Sequence, residues 1–218
     1  MMDIEQARSN MIKQQIYVNK VVDEKIVDLF RKIPREQFVP QQYMRLAFTD
    51  MFIPLGHDQV MMRPMEEARI LQALNIQNYE TVLEVGTGSG FMTALLAMQA
   101  KHVFSVDIIE DFTQQAQQKL DKLDIRNVSL MTGNAARSWA QAAPYDVIVI
   151  TGSLPILPHE FRQHLNVHGR IFVIEGAQAA MSAKLYSKLA DDNWQVNTLF
   201  ETHIPPLVEA HLVKKFEF

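Results

Sequence analysis

The stretch VLEVGTGSGF, residues 82–91, joins a short apolar run to an acidic residue and three alternating glycines. An apolar, β-branched run of this length predicts a buried strand, and the apolar residues after the last glycine predict a helix. Glycine adopts positive φ without strain and lets another molecule approach the backbone closely. Because a helix begins with unpaired N–H groups, the loop predicts a site where a ligand contacts the backbone.

The same strand pattern recurs along the chain, with helical segments at 90–100, 110–123 and about 158–165 between several of the strands. Strands that are apolar on both faces and alternate with helices are typical of a parallel sheet covered on both sides. We therefore predict an α/β fold, a Rossmann-like, doubly wound and mostly parallel sheet of about seven strands. The five predicted strands are TVLEV (81–85), HVFSVD (102–107), NVSLMT (127–132), YDVIVIT (145–151) and RIFVIEG (170–176).

The regions on either side of this core have weaker patterns. After the core we predict a helix at 179–190 and two strands, 194–202 and 210–218, which pair antiparallel at one edge. Before the core, an N-terminal helical extension is predicted, with the connection 41–62 showing few periodic signals. The helices of the extension are 3–17, 22–32 and a third that begins at Pro64, a residue favoured in the first turn.

The amino-acid composition excludes several classes of function. The 218 residues carry a net charge of −4 without a basic block, so the electrostatic footprint of nucleic-acid binding is absent. Cysteine is missing, which excludes disulfides and thiolate chemistry. No apolar run approaches the ~20 residues of a membrane helix, and the N-terminus is too polar for a secretory signal. We expect a cytoplasmic protein that binds neither membrane nor nucleic acid, of undetermined oligomeric state.

The acidic residues around the glycines indicate which ligand the loop takes. The spacing is G-x-G-x-G with Glu84 before it, which departs from the dinucleotide fingerprint. Asp107 ends the next strand, where an ionised carboxylate can accept two hydrogen bonds from a ribose diol. Because Glu84 would repel a pyrophosphate, a cationic nucleoside such as S-adenosylmethionine fits better than a nicotinamide cofactor. A nicotinamide oxidoreductase is the competing enzyme class.

The similarity extends well beyond the loop. The segment LEVGTGSGFMTALLA resembles the first motif of class I S-adenosylmethionine-dependent methyltransferases. From about residue 8 to the end, the chain resembles the protein-L-isoaspartate O-methyltransferase family. The segments that carry this resemblance are IPREQFVP, AFTDMFIPLGHDQ, MTGNAARSW, YDVIVITGS, LNVHGRIFVIEG and FETHIPPL.

The resemblance implies a single methyltransferase domain over 1–218, with N-terminal helices and substrate loop in 1–75. Residues 76–218 would form the cofactor-binding core with C-terminal edge strands. Asp107 would take the ribose hydroxyls, and Asn134 stands where the family usually has Asp. The full set of implied cofactor residues, for S-adenosylmethionine and its product S-adenosylhomocysteine, is Glu84, Gly86, Thr87, Gly88, Gly90, Asp107, Ile108, Asn134 and Ala135.

The implied substrate loop departs from the family pattern. Gln59 is kept, whereas Val60, Met61 and Met62 replace the usual Thr, Ile and Ser. Met62 supplies no hydroxyl, so the resemblance leaves the catalytic residue unassigned. The implied partner is a protein or peptide containing isoaspartyl residues, whose carboxylate would be methylated in protein repair. A methyltransferase with another acceptor and a cofactor-binding relative without transfer activity remain as alternatives.

No metal site is predicted. His164 and His168 are four residues apart, but Gly169 follows directly, and the H-E-x-x-H pattern of a zinc site is missing. We expect these histidines to be structural or solvated.

Overall fold

The N-terminal extension combines helices with a small hairpin. The computed structural model describes residues 3–177 and 180–210. Asp3 and Asp23 cap the first two helices, because their carboxylates accept backbone N–H groups of the first turn. The predicted connection 41–62 contains a 3₁₀ segment, Gln41–Leu46, and the hairpin. The elements are α1 (Ile4–Met11), α2 (Glu24–Lys32), β1 (Ile53–Gly56), β2 (Gln59–Met61) and α3 (Pro64–Leu74).

The core is a seven-stranded sheet. Its strands follow the order β5-β4-β3-β6-β7-β8-β9, parallel from β5 to β7 and antiparallel from β7 to β9. The predicted doubly wound, mostly parallel fold with an N-terminal helical extension is confirmed. The core elements are β3 (Thr81–Val85), α4 (Phe91–Ala97), β4 (His102–Asp107), α5 (Glu110–Lys122), β5 (Val128–Thr132), β6 (Tyr145–Leu154), α6 (His159–Gln163), β7 (Leu165–Ala177), β8 (Ala180–Ala190) and β9 (Asn193–Thr202).

Apolar side chains cover both faces of the sheet. Along β3, Val82 belongs to a cluster with α2, α3 and α4, whereas its neighbour Leu83 belongs to a cluster with Phe161 of α6. Side chains of a strand alternate between the two faces, so one short run of apolar residues serves both clusters. Every residue of α4 is buried, which places this helix in the centre of the protein.

The predicted helix at 179–190 is wrong, because this segment is β8. Its Ala, Leu and Lys residues favour a helix locally. Met181, Ala183 and Leu185 are nevertheless all buried, with a period of two, and β8 pairs with strands on both sides. Tertiary pairing therefore outweighs local propensity. The predicted strand 210–218 lies, apart from its first residue, outside the described residues, and the antiparallel partner of β9 is β8.

A buried arginine fastens the extension to the core. Arg35 is 1% exposed, and its guanidinium pairs with Glu67 at the start of α3. It also donates to the carbonyl of Ala47 at 2.8 Å and to that of Met62 at 2.6 Å. Its planar head lies over the ring of Phe91, 4.8 Å from the centroid. One side chain thus joins the extension, the predicted substrate loop and α4.

Replacing Glu67 by Gln should destabilise the protein strongly. The substitution leaves the Arg35 charge buried without its counter-charge, and such losses typically cost about 3–5 kcal/mol. Urea unfolding would measure the change in the free energy of unfolding. Asp121→Asn, which breaks an exposed pair with Arg126, is the control and should leave the midpoint almost unchanged. Equal midpoints for both variants would contradict this prediction.

Candidate active site

A cleft lies at the carboxyl ends of the parallel strands. The chain reverses direction across the sheet between β3 and β6, and ligands of open α/β sheets bind at this position. The cleft encloses about 600 Å³, counting the space open to solvent. Its lining comes from the ends of β3, β4 and β6, the start of α5, the hairpin and the segments after β5 and β9. The lining residues are Leu55, Gln59, Val60, Val85, Gly86, Gly88, Val106, Asp107, Ile108, Ile109, Phe112, Gly133, Asn134, Ala135, Ala136, Thr151, Gly152, Ile204, Leu207 and Val208.

Glycine is required at the floor of the cleft. Gly86 has a φ of +99°, and a Cβ there would lie 2.2 Å from the hydroxyl oxygen of Thr151. Gly88 has a φ of +50° and would contact Leu55 at 3.3 Å. A side chain at either position would strain the backbone and fill space that belongs to the cleft.

Gly90 has a different role from the other two glycines. It caps α4 in the left-handed conformation, with a φ of +82°. A Cβ at this position would lie 2.8 Å from the Cβ of Ala116, on α5. Gly90 therefore allows two helices to approach, and it is not among the residues that line the cleft.

Glu84 lies beneath the loop and is completely buried. Its Oε2 accepts hydrogen bonds from the hydroxyls of Thr93, at 2.5 Å, and Ser105, at 2.6 Å. Ser105 is opposite Glu84 in the parallel register of β3 and β4, which places both side chains on one face. Oε1 is buried and has no hydrogen-bond partner in the described part of the chain. Burial raises the pKa of the Glu84 carboxyl to about 8, although both hydroxyls lower it.

Asp107 lines the cleft at the end of β4. One carboxylate oxygen accepts the N–H of Gly88 at 2.9 Å, and the other accepts that of Ile109 at 2.9 Å. Burial raises the pKa of this carboxyl, while backbone hydrogen bonds lower it. Asp107 therefore fixes the position of the glycine loop and is itself oriented by backbone on both sides. The adjacent Ile108 also lines the cleft.

Asn134 and Ala135 line the cleft beyond β5. The amide oxygen of Asn134 accepts the N–H of Ala136 at 2.9 Å, and its amide nitrogen donates to the carboxylate of Glu209 at 2.6 Å. Ala135 is 4% exposed. The polar atoms of Asn134 are thus engaged with protein on both sides, and its hydrogen bond to Glu209 spans from the end of β5 to the segment after β9.

The predicted substrate loop divides between two spaces. Gln59 lines the cleft, whereas Met61 and Met62 line an adjoining recess of about 340 Å³, again counting open space, and Val60 lines both. We refer to this space as the acceptor-side recess. It shares Gly86 and Gly88 with the cleft, and its full lining is Leu55, Val60, Met61, Met62, Glu67, Gly86, Thr87, Gly88, Ser89, Met92 and Thr151.

The sequence did not indicate one wall of the cleft. Ile204, Leu207 and Val208 follow β9 and have no periodic pattern. Ser153, 1% exposed at the end of β6, holds this segment in place: its hydroxyl donates to the carbonyl of Ile204, and its backbone bonds to Pro205 and Leu207. A Cβ on Gly152 would lie 2.7 Å from Leu207. The glycine beside Ser153 is therefore the sequence feature that could have indicated a close-packed segment here.

Comparison with known proteins identifies the family. The family model for protein-L-isoaspartate(D-aspartate) O-methyltransferase (PCMT) matches residues 6–212. The chain belongs to this family. Protein-L-isoaspartate O-methyltransferase 1 of Rhodopseudomonas palustris is 33% identical over 202 residues, covering 92% of this chain and 82% of the relative. The protein-L-isoaspartate O-methyltransferase of Serratia proteamaculans is 31% identical over 205 residues, covering 94% and 98%.

Solved structures agree on the fold. A Plasmodium falciparum protein assigned to the same family, crystallised with S-adenosyl-L-homocysteine, superposes with a TM-score of 0.79 at 14% identity, covering 95% of this chain and 99% of that one. A second protein-L-isoaspartate O-methyltransferase gives a TM-score of 0.77 at 23% identity. Here the match covers 91% of this chain but only 65% of the solved one.

The burial of Glu84 predicts a pH-dependent stability. Its pKa in the folded protein, about 8, exceeds the ordinary value of 4.5, so the folded state binds the extra proton between these values. The stabilisation is complete below about pH 4.5 and is lost as the pH rises to about 8, by at most about 1.4 kcal/mol per pH unit. Glu84→Gln should remove this slope in urea unfolding measured from pH 5 to 8.5.

Thr93→Val is the companion variant. It removes a hydroxyl that lowers the pKa of Glu84, so the loss of stability should extend to higher pH than in the wild-type protein. Unfolding curves of Glu84→Gln that run parallel to the wild type across this pH range would contradict the assignment.

Proposed function

We propose that this protein transfers a methyl group from S-adenosylmethionine to the carboxylate of isoaspartyl residues in damaged proteins. The observation that carries the proposal is the glycine-floored cleft between Asp107 and the hairpin, in a chain that belongs to the isoaspartyl methyltransferase family. A protein or peptide is the proposed partner, without a nucleic acid or a membrane. We further propose a cytoplasmic location. Within the described residues, no helix is long and apolar enough to span a bilayer.

The residues present fit the cofactor. Gly86 and Gly88 leave backbone bare where a side chain would collide with Thr151 or press on Leu55. The buried Oε1 of Glu84 has no partner among the described residues, and a cationic ligand above the loop would lower the pKa of this carboxyl and favour its ionised form. Asp107 would hold the ribose hydroxyls, and Ile108, Asn134 and Ala135 would border the adenine. Glu84 would act through the loop, since it does not line the cleft.

Methyl transfer to a carboxylate requires the protein mainly to position the cofactor and the acceptor. When bound, the cofactor supplies a methyl group on a positively charged sulfur, so transfer to a carboxylate leaves a neutral thioether and a neutral ester and moves no proton. An isoaspartyl carboxylate is already ionised near neutral pH, and no general base is required. The hairpin and the segment after β9 supply walls of the cleft that would hold the reactants close together in a near-attack geometry.

One observation favours a second candidate, a methyltransferase with a changed acceptor. Met61, Met62 and Met92 all line the acceptor-side recess, where their side chains offer no hydrogen-bond donor. Methionine adapts its shape to different partners, so the recess also suits an acceptor with a larger apolar group.

Transfer of labelled methyl groups tests the proposal directly. An isoaspartyl peptide should become labelled, whereas the same peptide with a normal aspartyl residue should not. Calorimetry should also show binding of S-adenosylhomocysteine but not of NAD, because the loop spacing departs from the dinucleotide fingerprint. Cofactor binding with no labelling of either peptide would reject the isoaspartyl acceptor, and binding of NAD alone would reject the methyltransferase.

Gly86→Ala should weaken cofactor binding strongly. The new methyl group would collide with Thr151, and the backbone at φ +99° would be strained. We expect at least a tenfold loss of S-adenosylhomocysteine affinity by calorimetry. Gly56→Ala is the matched control, because it has a φ of +95° but nothing within 4 Å of its Cβ. It should lose about 1 kcal/mol of stability and keep its affinity. Equal affinities for both variants would contradict the placement of the ligand.

A further inference from the structure

Three residues with hydroxyl side chains line the acceptor-side recess, Thr87, Ser89 and Thr151. An ionised carboxylate only accepts hydrogen bonds, so a carboxylate acceptor in this recess needs a donor. Each hydroxyl has a single proton. A hydroxyl can donate to the acceptor only if its proton is not already used in a hydrogen bond within the protein.

The proton of Thr151 is committed to backbone. Its hydroxyl donates to the carbonyl of Gly86 at 2.6 Å and is 3.0 Å from that of Val85. Both carbonyls belong to the end of β3 and the start of the loop. Thr151 thus presents only lone pairs to the recess, and it serves to hold the loop against β6.

The hydroxyl proton of Thr87 is used in a hydrogen bond to Ser105, which in turn donates to Glu84. Ser105 donates its single proton to Glu84 at 2.6 Å. The bond between Ser105 and Thr87, also 2.6 Å, must then carry the proton of Thr87. Thr87 is therefore an acceptor toward the recess, whether Glu84 is ionised or carries its own proton on the unpartnered Oε1.

Ser89 is the hydroxyl whose proton remains. Its oxygen accepts the N–H of Phe91 at 3.2 Å, and its proton has no acceptor within residues 3–177 and 180–210. The side chain is nevertheless held in place, because Ser89 is only 8% exposed and Lys119 donates to its backbone carbonyl at 3.0 Å. Lys119 also donates to the carbonyl of Phe38 at 3.2 Å, which connects the loop to the N-terminal extension.

The surroundings of Ser89 suit an anion. Burial lowers the pKa of Lys119 to about 8, but the group still brings positive charge beside the serine at neutral pH. Glu67, which also lines the recess, is paired with Arg35. Hydrogen bonds to charged groups are the stronger class, so one donor directed at a carboxylate suffices to orient it.

We propose that the Ser89 hydroxyl donates a hydrogen bond to the acceptor carboxylate and orients it for methyl transfer. This inference rests on the proposed isoaspartyl activity and assigns it an orienting residue. It also accounts for how a recess with Met62 in place of a hydroxyl side chain can hold a carboxylate.

Ser89→Ala tests the inference by separating acceptor from cofactor. A lost hydrogen bond to a charged group is worth about 1.5–3 kcal/mol, so kcat/KM for an isoaspartyl peptide should fall roughly 10- to 100-fold. Most of the loss should appear in KM. The affinity for S-adenosylhomocysteine and the melting temperature should change little. Ser89→Thr keeps the hydroxyl and should retain most of the activity.

Ser89→Cys provides a second, nearly isosteric variant in case the alanine protein does not fold. Its thiol is a weak donor, so it should lose activity as alanine does. Wild-type kcat/KM in either variant would overturn the role of Ser89. So would a parallel loss of peptide and cofactor affinity, which is what a purely structural hydrogen bond from the N–H of Phe91 to Ser89 predicts. If the wild-type protein labels no isoaspartyl peptide, the proposed function itself fails and this inference fails with it.

Discussion

The buried carboxyl of Glu84 is the interaction on which the site depends. It lies on β3, and its hydroxyl partners come from β4 and α4, so one side chain fixes three elements around the glycine loop. Removing a carboxyl from water is costly, and the two hydroxyls repay only part of this cost, as the raised pKa of Glu84 shows. The bond from Ser105 also directs the proton of Thr87. One oxygen of a residue that does not line the cleft, Oε2 of Glu84, therefore determines which hydroxyls near the cleft can donate.

The acceptor side depends on a second buried charge. Arg35 satisfies acceptors on three segments, the start of α3, the end of the 3₁₀ segment and the backbone of Met62. A planar guanidinium with fixed donors suits this task better than a flexible ammonium. The ring of Phe91, at the start of α4, packs between Phe30 and Phe38. The N-terminal extension thus packs against α4 and also holds the backbone of Met62, which lines the acceptor-side recess.

Sequence patterns predicted the parallel core and the glycine loop because both depend on local features, buried apolar runs and positive φ. They failed where pairing with other strands determines the secondary structure. The residues of β8 favour a helix locally, but they form a strand because they pair with β7 and β9. The wall at Ile204–Val208 has no pattern of its own, since Ser153 positions it from β6. Gly90 has the same conformational signal as Gly86, but its function is to admit Ala116. Only the tertiary structure distinguishes a glycine beside a ligand site from one beside a helix.

The arrangement of charges also bears on the kind of acceptor. An acceptor that must lose a proton needs a base within hydrogen-bond distance. Glu67, the one carboxyl in the lining of the acceptor-side recess, is held by Arg35, and Glu84 lies beneath the loop rather than at its surface. Thr151 and Thr87 offer lone pairs, but a neutral hydroxyl is too weak a base to remove a proton from an acceptor. The recess is therefore built for an acceptor that arrives ionised, and it orients that acceptor with a donor rather than activating it with a base. A carboxylate meets this requirement, which connects the family of the chain to the proton positions within its own site.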